Sequence, residues 1–381
     1  MNIPTDTIIL HLSLIEGVGP ALVMRIIDNL GIDNLEQIYR FSSNDCMYQW
    51  GIKQKIAEKL VAGLSSSRLL EQELQLLAKH PVGWMTCLNP DYPELLKTIH
   101  IPPTILYWQG VLPNQHALAI VGSRDANAYG KRAIDHLVPD LVAHDFTIVS
   151  GGARGADTMA HQKTLDIGGK TVAVLGSGLL KPYPPQNTDL FAQIIESGGA
   201  LVSNFPLLME PLADNFPARN RVISGLSRGC IVIQAAAKSG ARITADYALS
   251  QGREVFAVPG PIDDLLSAGC HELIAQGAKI TSRAADILVE FGLQAAPQNT
   301  IETPIKPRKT SGQQAIFTPA QLAVPIDPRE AIILQTCQNP CAVDELLEAS
   351  GLPLITLSKM LFDLQVRGLL TQNMAGLWQR R

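Results

Sequence analysis

Three short glycine-bearing runs carry residues able to hold an anion: Gly122-Ser123-Arg124, Ser150-Gly151-Gly152-Ala153-Arg154-Gly155 and Gly176-Ser177-Gly178. Glycine lets an anion approach the backbone closely, and the free N–H groups at a helix start attract negative charge. Arg124 and Arg154 add planar guanidinium donors suited to phosphate. One such turn alone is only a tight turn, but three in register, two of them with arginine, describe a phosphate-binding rim. Asp157 and His161 stand four apart, on one face of a helix. An acid–base or metal pair is one reading of them. A first-turn acid that stabilises its helix, with a histidine in a structural hydrogen bond, is the preferred one.

Cofactor motifs fail in turn. A dinucleotide fold needs G-x-G-x-x-G after its first strand, with an acid about twenty residues on. Here that strand leads into GSRDANAYG, and a Walker A loop is absent as well. The run Gly151 to His161 (GGARGADTMAH) faintly resembles the PGGxGTxxE loop of nucleotide-activating phosphoribohydrolases but lacks the glutamate which that chemistry needs. An enzyme of that type is kept as the alternative function. No cofactor and no metal are expected.

The elements that must position the glycine turns follow from pattern. Apolar runs HALAIVGS, FTIVSGG, TVAVLGSG, GALVSNF, CIVIQAA and EVFAVPG read as buried strands of a parallel sheet. Most lead through a Gly or Pro turn into a helix of about three turns, such as Gly130 to Ala143. Right-handed crossovers then predict an α/β, doubly wound, extended Rossmann-like sheet whose ligands sit at the carboxyl ends of the strands. Four segments separate: an N-terminal helical domain over 1–82, the Rossmann-like domain over 83–293, a Pro- and Gln-rich linker over 294–325, and a second helical domain over 326–381.

Composition sets limits. The chain has 381 residues, 46% hydrophobic and 17% charged, with a net charge of −4, so it is mostly folded and not a bulk-cationic coat for duplex DNA. A local groove of basic residues remains compatible with DNA binding. The six cysteines form no CxxC pair and read as reduced, buried thiols. No apolar run is long enough to span a bilayer, and the N-terminus lacks a basic n-region, so a cytoplasmic protein without membrane contact is expected.

The combination of motifs is more specific than any one. Gly122-Ser123-Arg124, SGGARGAD with Ala160-His161, LGSG through YPPQN, Phe216-Pro217-Ala218-Arg219-Asn220-Arg221, Ser239-Gly240 with Thr244-Ala245, and Val258-Pro259-Gly260 stand in an order and spacing that resemble the DNA-processing protein A family (DprA, also called Smf). Gly269, Leu273-Ile274 and Gly277-Ala278 extend the resemblance downstream. Asp91-Tyr92-Pro93 and Pro102-Pro103 extend it upstream. The resemblance implies a protein that is not an enzyme but binds single-stranded DNA at the strand ends, protects incoming strands in natural transformation, and helps load a RecA-type recombinase. It also implies a homodimer formed through the Rossmann-like domain. Carried over by position, Arg124 is the principal phosphate ligand, and Gly151, Gly152, Gly176, Ser177 and Gly178 supply backbone donors. Arg219, Asn220 and Arg221 line the same mouth, with Ser123, Arg154, Gly155, Asn187, Ser239, Gly240 and Thr244 beside them.

Some positions depart from that pattern. Pro185 stands where a basic residue often follows the Tyr-Pro pair, and Lys181 is expected to take over its phosphate. Asn204, Gln234 and His271 replace a usual Glu, Glu and Asn. Each lost carboxylate suits a polyanion better than a carboxylate-driven hydrolase.

Two flanking features complete the reading. Ile15 to Leu30, with its Gly-Val-Gly-Pro turn, is like a helix-hairpin-helix or SAM-like element, and only Arg25 is basic nearby. Ala342 to Arg367 followed by LLTQNMAGLWQ reads as a winged helix whose Leu354, Leu357, Met360, Leu361 and Leu364 face inward. From Ile326 onward five basic residues meet six acidic ones, which favours a protein-contact module over a duplex reader.

Overall fold

Alternation of side chains along the apolar runs decides the sheet. The computed structural model describes residues 3–113, 115–293, 328–367, 369–372 and 377–380. The expected strands form as β3 (Ala117–Val121), β4 (Thr147–Ser150), β5 (Thr171–Val174), β6 (Ala200–Ser203), β7 (Gly229–Val232) and β8 (Glu254–Ala257). They are preceded by β1 (Gly83–Thr86) and β2 (Ile105–Gly110) and followed by β9 (Lys279–Ile280). The sheet order is β1-β2-β6-β5-β4-β3-β7-β8-β9. The seven strands from β6 to β9 in that order are parallel. β2 runs antiparallel to β6, and β1 antiparallel to β2.

Helices cover both faces. They are α6 (Glu94–Lys97), α7 (Ala128–Ala143), α8 (Ala156–Asp166), α9 (Thr188–Glu196), α10 (Asn215–Gly225), α11 (Gly240–Ser250), α12 (Ala268–Ala275) and α13 (Ala284–Leu288). Along β3, Leu118 and Ile120 enter one core with Ile134 and Leu137 of α7, whereas Ala119 and Val121 enter the opposite one with Val222 of α10 and Ala245 of α11. Chain order runs outward from β3 in both directions, through β4 to β6 on one side and β7 to β9 on the other. The order therefore reverses between β3 and β7, which opens a crevice at their carboxyl ends.

The N-terminal helices are α1 (Thr5–Leu14), α2 (Pro20–Leu30), α3 (Ser43–Trp50), α4 (Gln54–Leu64) and α5 (Arg68–Lys79). They do not close a core of their own: Ile9, Leu12 and Leu60 share one apolar cluster with Tyr107 of β2, Leu175 after β5 and Phe191 of α9. Residues 1–300 accordingly form one compact unit and residues 301–381 a second. The expected linker, 294–325, lies outside the described residues. The second unit contains α14 (Pro328–Thr336), α15 (Val343–Ser350), α16 (Leu354–Val366) and the antiparallel pair β10 (Leu370–Gln372) and β11 (Trp378–Arg380). Leu357, Leu361 and Leu364 are buried there, while residues 373–376 of the expected wing lie outside the described residues. No described helix is long and apolar enough to cross a membrane.

Polar contacts tie the helical segment to the rest of the unit: Asp6 of α1 accepts from Thr86 of β1 at 2.5 Å, and α5 reaches the loop after β6. Glu73 of α5 is buried, and its carboxylate accepts a hydrogen bond from the Leu207 amide at 2.9 Å. Burial raises its carboxyl above the usual carboxylate range, and the Leu207 amide and nearby Tyr107 hydroxyl pull it part of the way back. A raised folded pKa means that the fold prefers the protonated form. The cost is absent below the unfolded pKa and grows as pH rises through the folded one. Glu73→Gln keeps an acceptor without the charge. Its thermal midpoint is expected to exceed the parent's at pH 7, with the gap closing as pH falls to about 4. Melting curves across that range check this, and a gap that widened on acidification would contradict it.

Candidate nucleic-acid interface

The crevice between β3 and β7 is a cleft of about 600 Å³. Its walls are Gly122, Ser123 and Arg124 after β3, Phe216, Arg219 and Asn220 on α10, and Lys238, Ser239, Gly240 and Thr244 at the start of α11. Residues 216, 219, 220 and 223 line it together because they recur at helical spacing on one face of α10. Ser239 caps α11 by accepting from the Ala241 amide at 3.3 Å, and Asn127 caps α7 by accepting from Tyr129 at 2.8 Å. Gln234 is buried at the end of its strand and accepts from the Asn127 amide at 3.1 Å, so a carboxamide braces the start of α7.

Exposed charges of both signs line the cleft, Arg124 and Lys238 beside Asp125, and Arg154 stands in the neighbouring loop. Arg124, Arg154 and Lys238 are exposed and have no ion-pair partner among the described residues. The Arg124 guanidinium lies over the Phe216 ring, 5.5 Å from its centroid, and the Tyr183 ring is 5.9 Å from the same ring. Arg154 is exposed in the loop after β4, whose backbone passes close to the first turn. Gly155 permits that approach, for at its φ of +76° a Cβ would fall 2.4 Å from the Ser123 carbonyl oxygen.

The second and third glycine turns are not open to an anion. In the second, Asp157 fills the place of a ligand. The Ala153 amide donates to its Oδ2 at 3.2 Å, and the Gly151 amide and Ser150 hydroxyl lie close enough to favour its charged form. Burial raises the Asp157 carboxyl, and the Arg219 charge together with those donors counters the rise. A Cβ on Gly151 would sit 2.6 Å from Asp157 Oδ2 and 3.0 Å from Arg219 Nη2. Asn187 is buried behind Gly152, donating to its carbonyl at 2.9 Å and to Thr158 Oγ1 at 2.8 Å. It supports the loop from within.

The third turn is roofed by residues 206–209. The Gly178 amide donates to the Met209 carbonyl at 2.9 Å, and the Ser177 carbonyl accepts from Ser203 Oγ at 2.7 Å. Gly176 and Gly178 are small because the chain passes over them: a Cβ would lie 2.7 Å from the Phe216 ring in one case and 2.2 Å from the Leu207 oxygen in the other.

Three further residues stand apart from their expected roles. Arg221 is turned away from the cleft and donates to the Ile101 carbonyl. Lys181 pairs with Glu210 at 2.9 Å on the surface, outside the cleft wall. Arg219 belongs to the wall but is only 4% exposed, and it donates to the Gly151 carbonyl at 2.6 Å and to the Val174 carbonyl. His161 is fully buried with Nδ1 2.7 Å from Thr171 Oγ1, and burial, then the Arg219 charge, lowers it to about 3. It is neutral and sealed from solvent.

Sequence reasoning passed over Phe216 and Lys238. Phe216 entered only as the first residue of a motif and was given no role. Its signal was the helical interval to Asn220, which puts ring and amide on one face. Lys238 directly precedes the Ser239 cap, at the strand turn which faces β3.

The fold and site define an extended Rossmann-like protein with a cationic, aromatic-lined cleft at its switch point. The profile of the family described as DNA recombination-mediator protein A matches residues 83–292. Protein Smf of Synechocystis sp. is 34% identical over 97% of this chain and 97% of its own length. The DNA processing protein DprA of Streptococcus pneumoniae is 42% identical over 54% of this chain and 72% of its own. An X-ray structure of DNA processing protein A from that organism superposes with a TM-score of 0.65 at 31% identity, covering 76% of this chain and 99% of the other. The chain belongs to the DNA recombination-mediator protein A family.

The roofed third turn has a direct consequence. Gly178→Ala places a methyl group against two backbone oxygens that cannot move aside, those of Pro206 and Leu207, each 2.2 Å away. A loss of about 1–3 kcal/mol is expected. Chemical denaturation measures it, and an unchanged midpoint would show that residues 206–209 do not pack on the turn.

Proposed function

We propose that the protein binds single-stranded DNA in the switch-point cleft, protects incoming strands during natural transformation, and passes them to a RecA-type recombinase. The observation that carries the reading is the placing of unpaired Arg124 and Lys238 in one cleft with the Phe216 ring. Cations hold phosphates, and an aromatic face inside a cleft reaches only bases that are already unstacked. A duplex hides those faces. The relatives named DNA processing protein DprA support the same class of substrate.

Action is by binding, in the cytoplasm, where buried free thiols stay reduced. The phosphoribohydrolase-type alternative needs a carboxylate poised for catalysis. Of the two acids that line the cleft, Asp157 is instead turned into its own loop, and Asp125 stands exposed to water at the rim. Self-association through the Rossmann-like domain is part of the proposal, since β9 ends the sheet as an edge strand with Ile280 exposed. The second unit, three helices and an antiparallel pair among its described residues, we read as a winged helix that meets protein. Its Arg367 is tied to Glu330 at 2.7 Å and is not offered to phosphate.

Three measurements check this. Anisotropy with labelled oligo-dT is expected to show tighter binding than blunt duplex at physiological salt, weakening as salt rises; equal binding would sink the reading. Arg124→Ala is expected to cost about 1.5–3 kcal/mol of affinity with little change in thermal midpoint, since an exposed loop arginine supports no core. Truncation at Ala295 is expected to leave a folded protein that keeps most of its affinity, because the cleft lies within the first compact unit. A folded fragment without binding would place the site elsewhere.

A further inference from the structure

We propose that Arg219, the buried arginine of the cleft wall, is a positioning residue that sets the Phe216 platform from its anchor on two strand-end carbonyls, without touching the bound DNA strand. The inference rests on the reading of the cleft as the single-strand site.

Geometry leaves Arg219 little to offer a phosphate. It is 4% exposed, and one nitrogen, Nη1, donates to two carbonyl oxygens, of Gly151 at the loop after β4 and of Val174 at the end of β5. Its Nε donates to Asn220 Oδ1 at 3.2 Å. The outer end of the guanidinium closes on Gly151, where buried Asp157 answers its charge. Only the π-face remains, and it lies over Phe216, 5.9 Å from the centroid. The exposed Arg124 meets the same ring at 5.5 Å. One ring is thus shared by two arginines with different tasks, one facing solvent and one anchored to the ends of two strands.

Planarity and the fork of donors explain why arginine stands here. A lysine would keep the charge but could neither cover the ring nor bridge two strand-end carbonyls in a fixed geometry. R219K therefore separates the roles. If Arg219 acts through Phe216, its loss matters only while the ring is present.

The test is a double-substitution cycle of R219K with Phe216→Ala, read by anisotropy with labelled oligo-dT over a salt series. R219K alone is expected to weaken binding about 5- to 50-fold, but less than about 2-fold further in the Phe216→Ala background. Its salt slope should match the parent's, whereas R124A should flatten the slope by about 0.7. Full additivity, or a slope lowered as in R124A, overturns the inference. Arginine modification of the parent protein by phenylglyoxal, mapped by mass spectrometry, gives an answer independent of folding. Arg124 should react and be protected by oligo-dT, and Arg219 should stay unreactive in both states. Arg219 reactive when free and protected when bound overturns the inference even if R219K does not fold. Absence of parent binding to oligo-dT overturns the functional reading together with this one, whereas normal parent binding with additive losses overturns this one alone.

Discussion

A carboxylate taken out of water must find donors, and Asp157 finds them in the loop that its own helix grows from. The Ala153 amide bonds to it, the Gly151 amide and Ser150 hydroxyl lie near, and Arg219 supplies the opposing charge. Leaving such a group unpaired in the interior costs several kcal/mol. The loop, α8 and the buried end of α10 are therefore held to one another. Arg219 passes the constraint on by gripping the carbonyls of Gly151 and Val174, and so fixes the height of α10 above the strand ends. The cleft has a stable wall because that wall is bonded to the sheet beneath it.

The same constraint explains why glycine-rich turns of similar sequence do different work. All three lie at strand ends, where helix N-termini attract anions. In the second turn the anion is the protein's own Asp157. In the third, residues 206–209 bring carbonyl oxygens to the amides, and Glu73 from the helical segment holds the Leu207 amide in turn. Only the first turn, opposite the start of α11, is left for a ligand. The binding surface lies where the chain has not already met its own polar groups.

Pattern in the sequence reached the parallel strands because burial on both faces leaves near-continuous apolar runs, as in HALAIVGS and CIVIQAA. It missed β1, a four-residue strand with only Trp84 and Met85 apolar, and β9, which is two residues long. β2 was missed although Ile105-Leu106-Tyr107-Trp108 is an apolar run, because it joins the sheet antiparallel and no crossover helix follows it. The helical segment was also drawn as separate. Its apolar stripe is plain in sequence, but the partner of that stripe, around Tyr107 and Phe191, is a tertiary fact. Among the residues of the site, Arg124, Ser239 and Gly240 stood out by type and position. Arg219 and Asn187 stood out equally, yet they serve the interior. Residue type shows that a group can donate, and only burial shows to whom.

Net charge is a poor guide to such a protein. The chain is acidic overall, yet Coulomb attraction between exposed groups is screened within about 8–10 Å at ordinary salt. What a phosphate meets is the local set, and several cations outside the cleft are already engaged. Lys59, Lys131, Lys181, Arg242 and Lys279 each face a carboxylate of their own. Arg124, Arg154 and Lys238 do not. A paired cation must give up one partner to gain another, so its net attraction for a ligand is small. An unpaired one gives up only water. Lys53, Lys55, Lys97 and Lys170 are exposed without an ion pair among the described residues as well, so an unmade pair alone does not select a site. What the cleft adds is concavity, with Arg124 and Lys238 lining it beside the Phe216 ring, where a base that is free to stack can meet both charge and an aromatic face.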